Sequence, residues 1–170
     1  RGFKSAQIEQ VGGIGTELPT VAEIAGLKGV LLRSTVLGNI IGIVPGAGAT
    51  VASFISYGVE AQYGRQRARM GKGVAEGIVA PQAAATASVG GALVPLLSIG
   101  LPGSGATAVI LAAFMLKGVQ PGPQIFATQT AMVYTIFASV FLGLFLMALI
   151  GYFAVRPLVR ILDFPEAVVS

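Results

Sequence analysis

Apolar residues in this chain come in long runs that carry no charge. No charged residue occurs from Ser34 to Val59, from Gly77 to Leu116, or from Gly118 to Val155. Each run exceeds the roughly 18–20 apolar residues that carry a helix across the hydrocarbon core of a bilayer. Two of the runs contain the same interruption. Pro45-Gly46-Ala47-Gly48-Ala49-Thr50 and Pro102-Gly103-Ser104-Gly105-Ala106-Thr107 both read Pro-Gly-x-Gly-Ala-Thr. Proline removes a backbone donor and clashes with the preceding turn, while glycine admits conformations that a helix forbids. The pattern predicts half-helices over about 36–44 and 50–59 in the first run, and a second broken segment over Ala92–Leu116. Each broken segment either crosses the membrane or re-enters it; the pattern leaves both open.

The rest of the chain fits around these segments. Residues 1–33 read as a linker followed by an amphipathic interfacial helix, and 34–170 as a transmembrane domain. Thr20-Val21-Ala22-Glu23 has the spacing of a capping box, in which a hydroxyl and a carboxylate satisfy free amides at a helix start. Ile24, Leu27, Leu31 and Leu32 then share a face, with Glu23 and Lys28 nearer the other. This suggests a helix lying on the membrane surface, or an ordinary solvent-facing one, before the chain enters the membrane at Arg33. The connector Glu60–Lys72 carries Arg65, Arg67, Arg69 and Lys72, which places it on the cytoplasmic side. Gly77–Gly91 is too small-sided to face lipid and suits close helix packing inside the protein. Pro121-Gly122-Pro123 marks a turn. Thr130–Val155 reads as a clean span, followed by Arg156 and Arg160, again cytoplasmic. Phe137, Phe141 and Phe145 form a lipid or packing face along it.

Composition narrows the class. Mean hydropathy is +0.82, 54% of residues are hydrophobic and only 11% are charged, against roughly 25% charged in soluble domains. The fold expected is all-α integral membrane, a multi-helix bundle with broken or re-entrant helices. The net charge of +4 sits in short connectors and does not indicate nucleic acid as a partner. There is no Cys and no His, so disulfides, thiolate chemistry and the commonest acid–base and zinc ligands are absent. No metal site, cofactor or enzymatic activity is expected. The chain opens on Arg1 without an initiator Met or signal-peptide pattern and is expected to be a piece of a longer protein.

The candidate chemistry lies in the paired turns. Non-helical backbone survives in a bilayer only where it is buried in protein or lines a polar cavity. Matching interruptions in two hydrophobic segments point to a transporter's binding site. Unwinding exposes the amides at the start of each following half-helix, where the dipole places about half a positive charge. An anion is then held without Lys or Arg. Gly46, Gly48, Ala49, Thr50 and Ser53 at the first turn, with Gly103, Ser104, Gly105 and Thr107 at the second, are the candidate substrate-binding residues. A polycarboxylate suits them, with one carboxylate to each turn. Glu76, at the edge of an uncharged run, is a candidate ion-coupling carboxylate, with Gln82 and Thr86 beside it and Ser88 in reach of the same cavity. The bland alternatives are glycine packing kinks for the turns and an interfacial helix-end carboxylate for Glu76.

Several stretches resemble a known family. Gly42-Ile43-Val44-Pro45-Gly46-Ala47-Gly48 and Ala52-Ser53-Phe54-Ile55-Ser56-Tyr57-Gly58-Val59-Glu60 are similar to the large membrane subunit of the tripartite tricarboxylate transporters. So are Gly71-Lys72-Gly73 with Glu76-Gly77, Gly90-Gly91-Ala92-Leu93-Val94-Pro95-Leu96-Leu97, Gly100-Leu101-Pro102-Gly103-Ser104 and Gly118-Val119-Gln120-Pro121-Gly122-Pro123. The resemblance covers about Arg33 to Phe126. It implies the start of the second half of a longer permease subunit in a bacterial inner membrane. It further implies a small membrane subunit and a periplasmic solute-binding protein as partners, citrate or another carboxylate as substrate, and sodium ions or protons as the coupling ion. One departure matters. Where the family commonly reads Pro-Glu-Ala-Ala-Asn-Asn-Ala, this chain has Pro81-Gln82-Ala83-Ala84-Ala85-Thr86-Ala87, so citrate specificity does not transfer. The rivals are a glycine-lined channel and a non-transporting membrane scaffold.

Overall fold

The computed structural model describes residues 20–162, with side chains through residue 154. The expected linker over residues 1–19 and the last stretch of the expected transmembrane domain, 163–170, lie outside the described residues. All regular structure described is helical, and it falls into two compact units, Thr20–Tyr134 and residues 135–162.

The first unit opens with α1 (Val21–Gly26), capped as its sequence predicts. The Thr20 amide donates to Glu23 Oε2 at 2.7 Å, and the Glu23 amide donates to Thr20 Oγ1 at 3.3 Å. A single irregular residue, Leu27, separates it from α2 (Lys28–Ile43). The Leu31 amide still reaches the Leu27 carbonyl at 2.9 Å. Helix α2 runs unbroken across Arg33, where the sequence was read as entering the membrane. It starts eight residues earlier than the predicted half-helix because no residue from Lys28 onward stops it.

The chain leaves α2 at Val44, passes through Gly46 at φ +82° and enters α3 (Gly48–Tyr63), with Gly48 at φ +63°. Only glycine adopts such angles without strain. The direction reverses here, so α2 and α3 are antiparallel. At the open end of this hairpin Arg33 pairs with Glu60, and Ser56 Oγ donates to Ser34 Oγ at 2.9 Å. A connector with a 3₁₀ turn at Arg67–Arg69 leads to α4 (Glu76–Ile99). Ser56 Oγ also contacts the Ala80 carbonyl at 3.0 Å.

Helix α4 lies parallel to α2 at very close range. A Cβ on Gly38 would stand 2.7 Å from Ala84 Cα, and one on Gly42 would stand 2.8 Å from Ser88 Cα. Small residues every fourth position allow backbones to approach this far. The buried stripes are therefore small or polar: Ser34, Gly38 and Gly42 on α2, Ala52, Ser56 and Glu60 on α3, Ala80, Ala84 and Ser88 on α4. The outward stripe of α2 is Leu32, Val36, Ile40 and Ile43, all exposed. Large apolar side chains are buried towards the end of α4, at Leu93, Leu96 and Leu97, while those of the α2 stripe face out, as they do when lipid is the solvent.

Gly77–Gly91 and the start of the predicted second broken segment form one helix rather than two, continuing across Pro81 and Pro95. Each proline removes one helical bond, which packed neighbours tolerate. The helix stops at Gly100, which takes φ +71° so that the Leu101 amide can reach back to the Pro95 carbonyl at 3.2 Å. The next residues double back along α4 until Gly103 lies against Ala92, where α5 (Gly105–Leu116) begins. The following loop returns to the end of α4, with the Gly122 amide donating to the Leu97 carbonyl at 3.0 Å. A short α6 (Ile125–Thr128) buries Ile125. Helix α7 (Thr130–Leu162) begins in this unit and forms the second. Its Phe137, Phe141, Phe145, Tyr152 and Phe153 are exposed. Glu76–Ile99 and Thr130–Ala154 are each long and apolar enough to cross a membrane.

Candidate functional site

The two Pro-Gly-x-Gly-Ala-Thr turns are brought together. A Cβ on Gly48 would stand 3.6 Å from the Gly103 carbonyl oxygen and 3.7 Å from Ser104 Cβ, an ordinary contact. Gly103 is itself buried, and a Cβ there would stand 2.8 Å from Ala92 Cβ and 3.1 Å from the Gly42 carbonyl oxygen. Between the turns lies a pocket of about 400 Å³. Gly46 to Thr50 line it from the first turn, Ser104, Gly105 and Ala106 from the second, and Ser88, Val89 and Ala92 from α4. No charged side chain reaches it. Its electrostatics come from the N-terminus of α3 and the N-terminus of α5, each presenting amides that have no partner further back along the helix. The turns open on one shared pocket, not on two separate anion sites.

Identical motifs adopt different backbones. The first is the tip of a hairpin with two left-handed glycines; neither glycine of the second has a positive φ. The variable third position decides how each helix starts. Ser104 caps α5: its Oγ accepts the Thr107 amide at 3.3 Å, while Thr107 Oγ1 accepts the Ser104 amide and donates to the Ser104 carbonyl, both at 2.8 Å. Ala47 has no side chain to do this, so α3 starts without a cap. Thr107 is buried with its hydroxyl engaged in the cap, whereas Thr50 is exposed on the pocket and its hydroxyl has no partner among the described residues. Of the two threonines, only Thr50 offers a hydroxyl to a ligand.

Ser53 sits one turn along α3. Its Oγ donates to the Ala49 carbonyl at 2.9 Å, and with Ala49, Thr50, Phe54, Tyr57 and Pro81 it lines a neighbouring, more apolar pocket of about 500 Å³. The two pockets share Ala49 and Thr50.

The profile of the tripartite tricarboxylate transporter TctA family matches residues 3–170. The chain belongs to that family. Similar proteins include an uncharacterized 52.8 kDa protein in the TAR-I ttuC' 3' region of Agrobacterium vitis, 34% identical over 139 residues. Another is an uncharacterized protein in the TAR-II ttuC' 3' region of the same organism, 34% identical over 128 residues. These alignments cover 82% and 75% of the chain, which spans only 28% and 53% of the two relatives' own lengths. No solved structure matches the chain. The TctA family is one of membrane transporter components and not of enzymes.

The remaining candidates of this TctA-family chain do not join the pocket. Glu76 is half-buried in the first turn of α4, where Gln66 Nε2 donates to its Oε1 at 2.8 Å. Ser88 lies on the pocket, so Glu76 is about 18 Å away along the helix. Gln82 is exposed and Thr86 half-buried, and neither is among the lining residues. Among the described residues no group of His, Cys, Asp or Glu could hold a metal ion. Two features escaped the sequence reading. Ala92 lines the pocket and Gly42 packs against Gly103 behind it, the latter signalled only by the Ser34-Gly38-Gly42 spacing. Glu60, read as part of a charged connector, is 2% exposed and stands behind Arg33.

Proposed function

We propose that this chain is part of the permease subunit of a secondary transporter for tricarboxylates or related carboxylates, multi-pass in a bacterial inner membrane. A periplasmic solute-binding protein delivers the substrate, a small membrane subunit completes the assembly, and a sodium or proton gradient drives uptake. The α2–α3 hairpin acts as a re-entrant segment, while α4, at 24 residues, crosses and the chain doubles back from its end to start α5 at the depth of the pocket. At 16 residues each, α2 and α3 reach about 24 Å, short of a hydrocarbon core of about 30 Å, so their tip ends inside the membrane. One carboxylate sits in the shared pocket on the amides of Gly48, Ala49, Gly105 and Ala106 and on the Thr50 hydroxyl. The rest of the substrate extends towards Ser53. The observation that carries this reading is the convergence of two helix N-termini on one pocket without a carboxylate.

The test exploits opposite signs at Ala106, which is exposed on the pocket in the first turn of α5. Ala106→Asp places a negative charge where the helix dipole welcomes it, so folding is retained or improved. The same charge repels a bound carboxylate, so binding of whichever member of a panel of citrate and other di- and tricarboxylates the complete wild-type complex takes is lost. Ala106→Lys reverses both signs. Binding that is indifferent to both substitutions makes the turns a packing device and sinks the proposal.

A further inference from the structure

Glu60 is the one carboxylate among the described residues that is buried in the helix core, 2% exposed. It lies on the stripe of α3 that packs against α2 and α4, one turn beyond the Ser34–Ser56–Ala80 contacts. Its Oε2 accepts from Arg33 Nη2, while its Oε1 is buried with no hydrogen-bond partner, as is Arg33 Nε. Gly64 leaves room beside the carboxylate: a Cβ there would stand 2.8 Å from the Glu60 carboxyl carbon. The surroundings supply no second cation at Oε1. From α2 comes Arg33 alone; Arg65, Arg67, Arg69 and Lys72 of the connector are exposed, and Glu76 on α4 is engaged by Gln66. An ionised carboxylate with a bare buried oxygen is costly, and adding a proton to that oxygen removes the charge that burial penalises.

We infer that Glu60 is the proton-binding group that couples this subunit to the proton gradient, an assignment that rests on the transporter reading above. A proton taken up from the aqueous phase adds to Oε1 and converts the carboxylate to the acid, whose Oε2 still accepts from Arg33. The Arg33–Glu60 pair then changes from neutral to singly positive. A metal cation fits worse, because it needs a shell of several oxygens and would share one carboxylate with a guanidinium. Arg33, with its side chain 38% exposed, links the buried acid to the outside. The coupling route is α3 itself. Glu60 lies at the C-terminal end of the helix whose N-terminus lines the anion pocket, about 18 Å from Gly48. One unit of charge at that distance, at an effective dielectric of about 20, changes the affinity of a monoanion roughly fivefold. Protonation thus favours the loaded carboxylate, and release of the proton favours its departure.

The test is an infrared pH titration of the full-length subunit in its complete complex in nanodiscs, with no carboxylate added. Expected is a protonated-carboxyl band that grows on acidification, vanishes in Glu60→Gln, and persists but shifts in Glu60→Asp. A band unchanged in Glu60→Gln overturns the assignment, as does a folded wild type that shows none. Should Glu60→Gln fail to assemble, Glu60→Asp decides, and an unshifted band overturns the proposal. Carboxylate binding, measured separately over a pH range in which the ligand's own charge is constant, is expected to weaken roughly fivefold per ligand charge in the wild type as pH rises through the band's midpoint and to be pH-independent in Glu60→Gln. A Glu60 band without binding of citrate or of any other di- or tricarboxylate in the same panel, at any pH, leaves the assignment standing and removes the pocket reading instead.

Discussion

Adding one methyl group at Gly42 tests the fold and the pocket together. The new Cβ would collide with the Ser88 carbonyl oxygen and stand 2.8 and 2.9 Å from Ser88 Cα and C. All three are backbone atoms, so no rotamer change relieves them. Helices α2 and α4 would have to part by about 1 Å to restore a normal separation near 3.5 Å, and a gap of that size forfeits up to about half of the local dispersion attraction. Overpacking costs about 1–3 kcal/mol, and with backbone on both sides the upper end applies. Against this stands the better helix propensity of alanine, worth about 1 kcal/mol. Gly42→Ala is therefore expected to lose about 2 kcal/mol net. Gly58 is the control, a helical glycine whose added Cβ would meet nothing within 4 Å; Gly58→Ala should be neutral or gain up to about 1 kcal/mol. Thermal unfolding of the purified full-length subunit in nanodiscs reads both. The carbonyl of Gly42 also supports Gly103 beneath the pocket, so carboxylate binding should fall in Gly42→Ala and hold in Gly58→Ala. If Gly42→Ala is as stable as the wild type, or if both variants suffer alike, the close α2–α4 contact is not what holds the pocket.

Two further outcomes separate the paired motifs and the N-terminal cap. Thr107→Val should destabilise by about 1–2 kcal/mol, because the Ser104 amide loses its acceptor, while the Ser104 hydroxyl still holds the residue-107 amide and the Ser104 carbonyl still accepts the Ala108 amide. Thr50→Val should stay within about 0.5 kcal/mol in stability yet weaken carboxylate binding tenfold or more; thermal unfolding and binding isotherms on the same samples check the split. At the start of α1, the Thr20 amide and then its hydroxyl hold the Glu23 carboxyl below its ordinary value. Such a group stabilises when ionised, so the contribution is present above the ordinary carboxylate range and disappears as pH falls through the lowered value. Hydrogen-exchange protection of Val21–Gly26, corrected for intrinsic rates, should drop on acidification in the wild type and be independent of pH in Glu23→Gln.

The helical class, the charge-free segments, the Thr20–Glu23 cap and the two stopping points were legible because each rests on local chemistry. The helices stop where a glycine takes a left-handed backbone, at Gly46 and Gly100, whereas Pro81 and Pro95 are carried inside α4 by its packing. Partner choice and direction were not. Nothing in Ser34–Val59 states that the chain reverses at Gly46 rather than continuing, since reversal depends on what Gly38 and Gly42 pack against. The Gly77–Gly91 run looked separate from Ala92–Ile99, yet no residue between them stops a helix, and packing against α2 carries α4 across both. Glu60 and Glu76 flank the connector with similar neighbours. Only the tertiary fold shows that Glu60 points inward at Arg33, while Glu76 is held by Gln66 at the connector.

The repeated hexapeptide carries the deeper lesson. Its six positions match apart from one, and that one, Ala47 against Ser104, divides the labour between the copies. A serine at the third position recruits the threonine three residues on into a closed cap, which fixes the second turn firmly and uses up its side-chain hydrogen bonds. An alanine there leaves the first helix uncapped, its amides open and Thr50 free, on a hairpin tip held by two left-handed glycines. The second turn therefore serves as the wall and the first as the mouth of the same pocket. In a pocket that no charged side chain reaches, the polarity comes from two helix starts, and only the uncapped first one also offers a free hydroxyl. The Ser104 and Thr107 side chains opposite satisfy each other and do not compete for it.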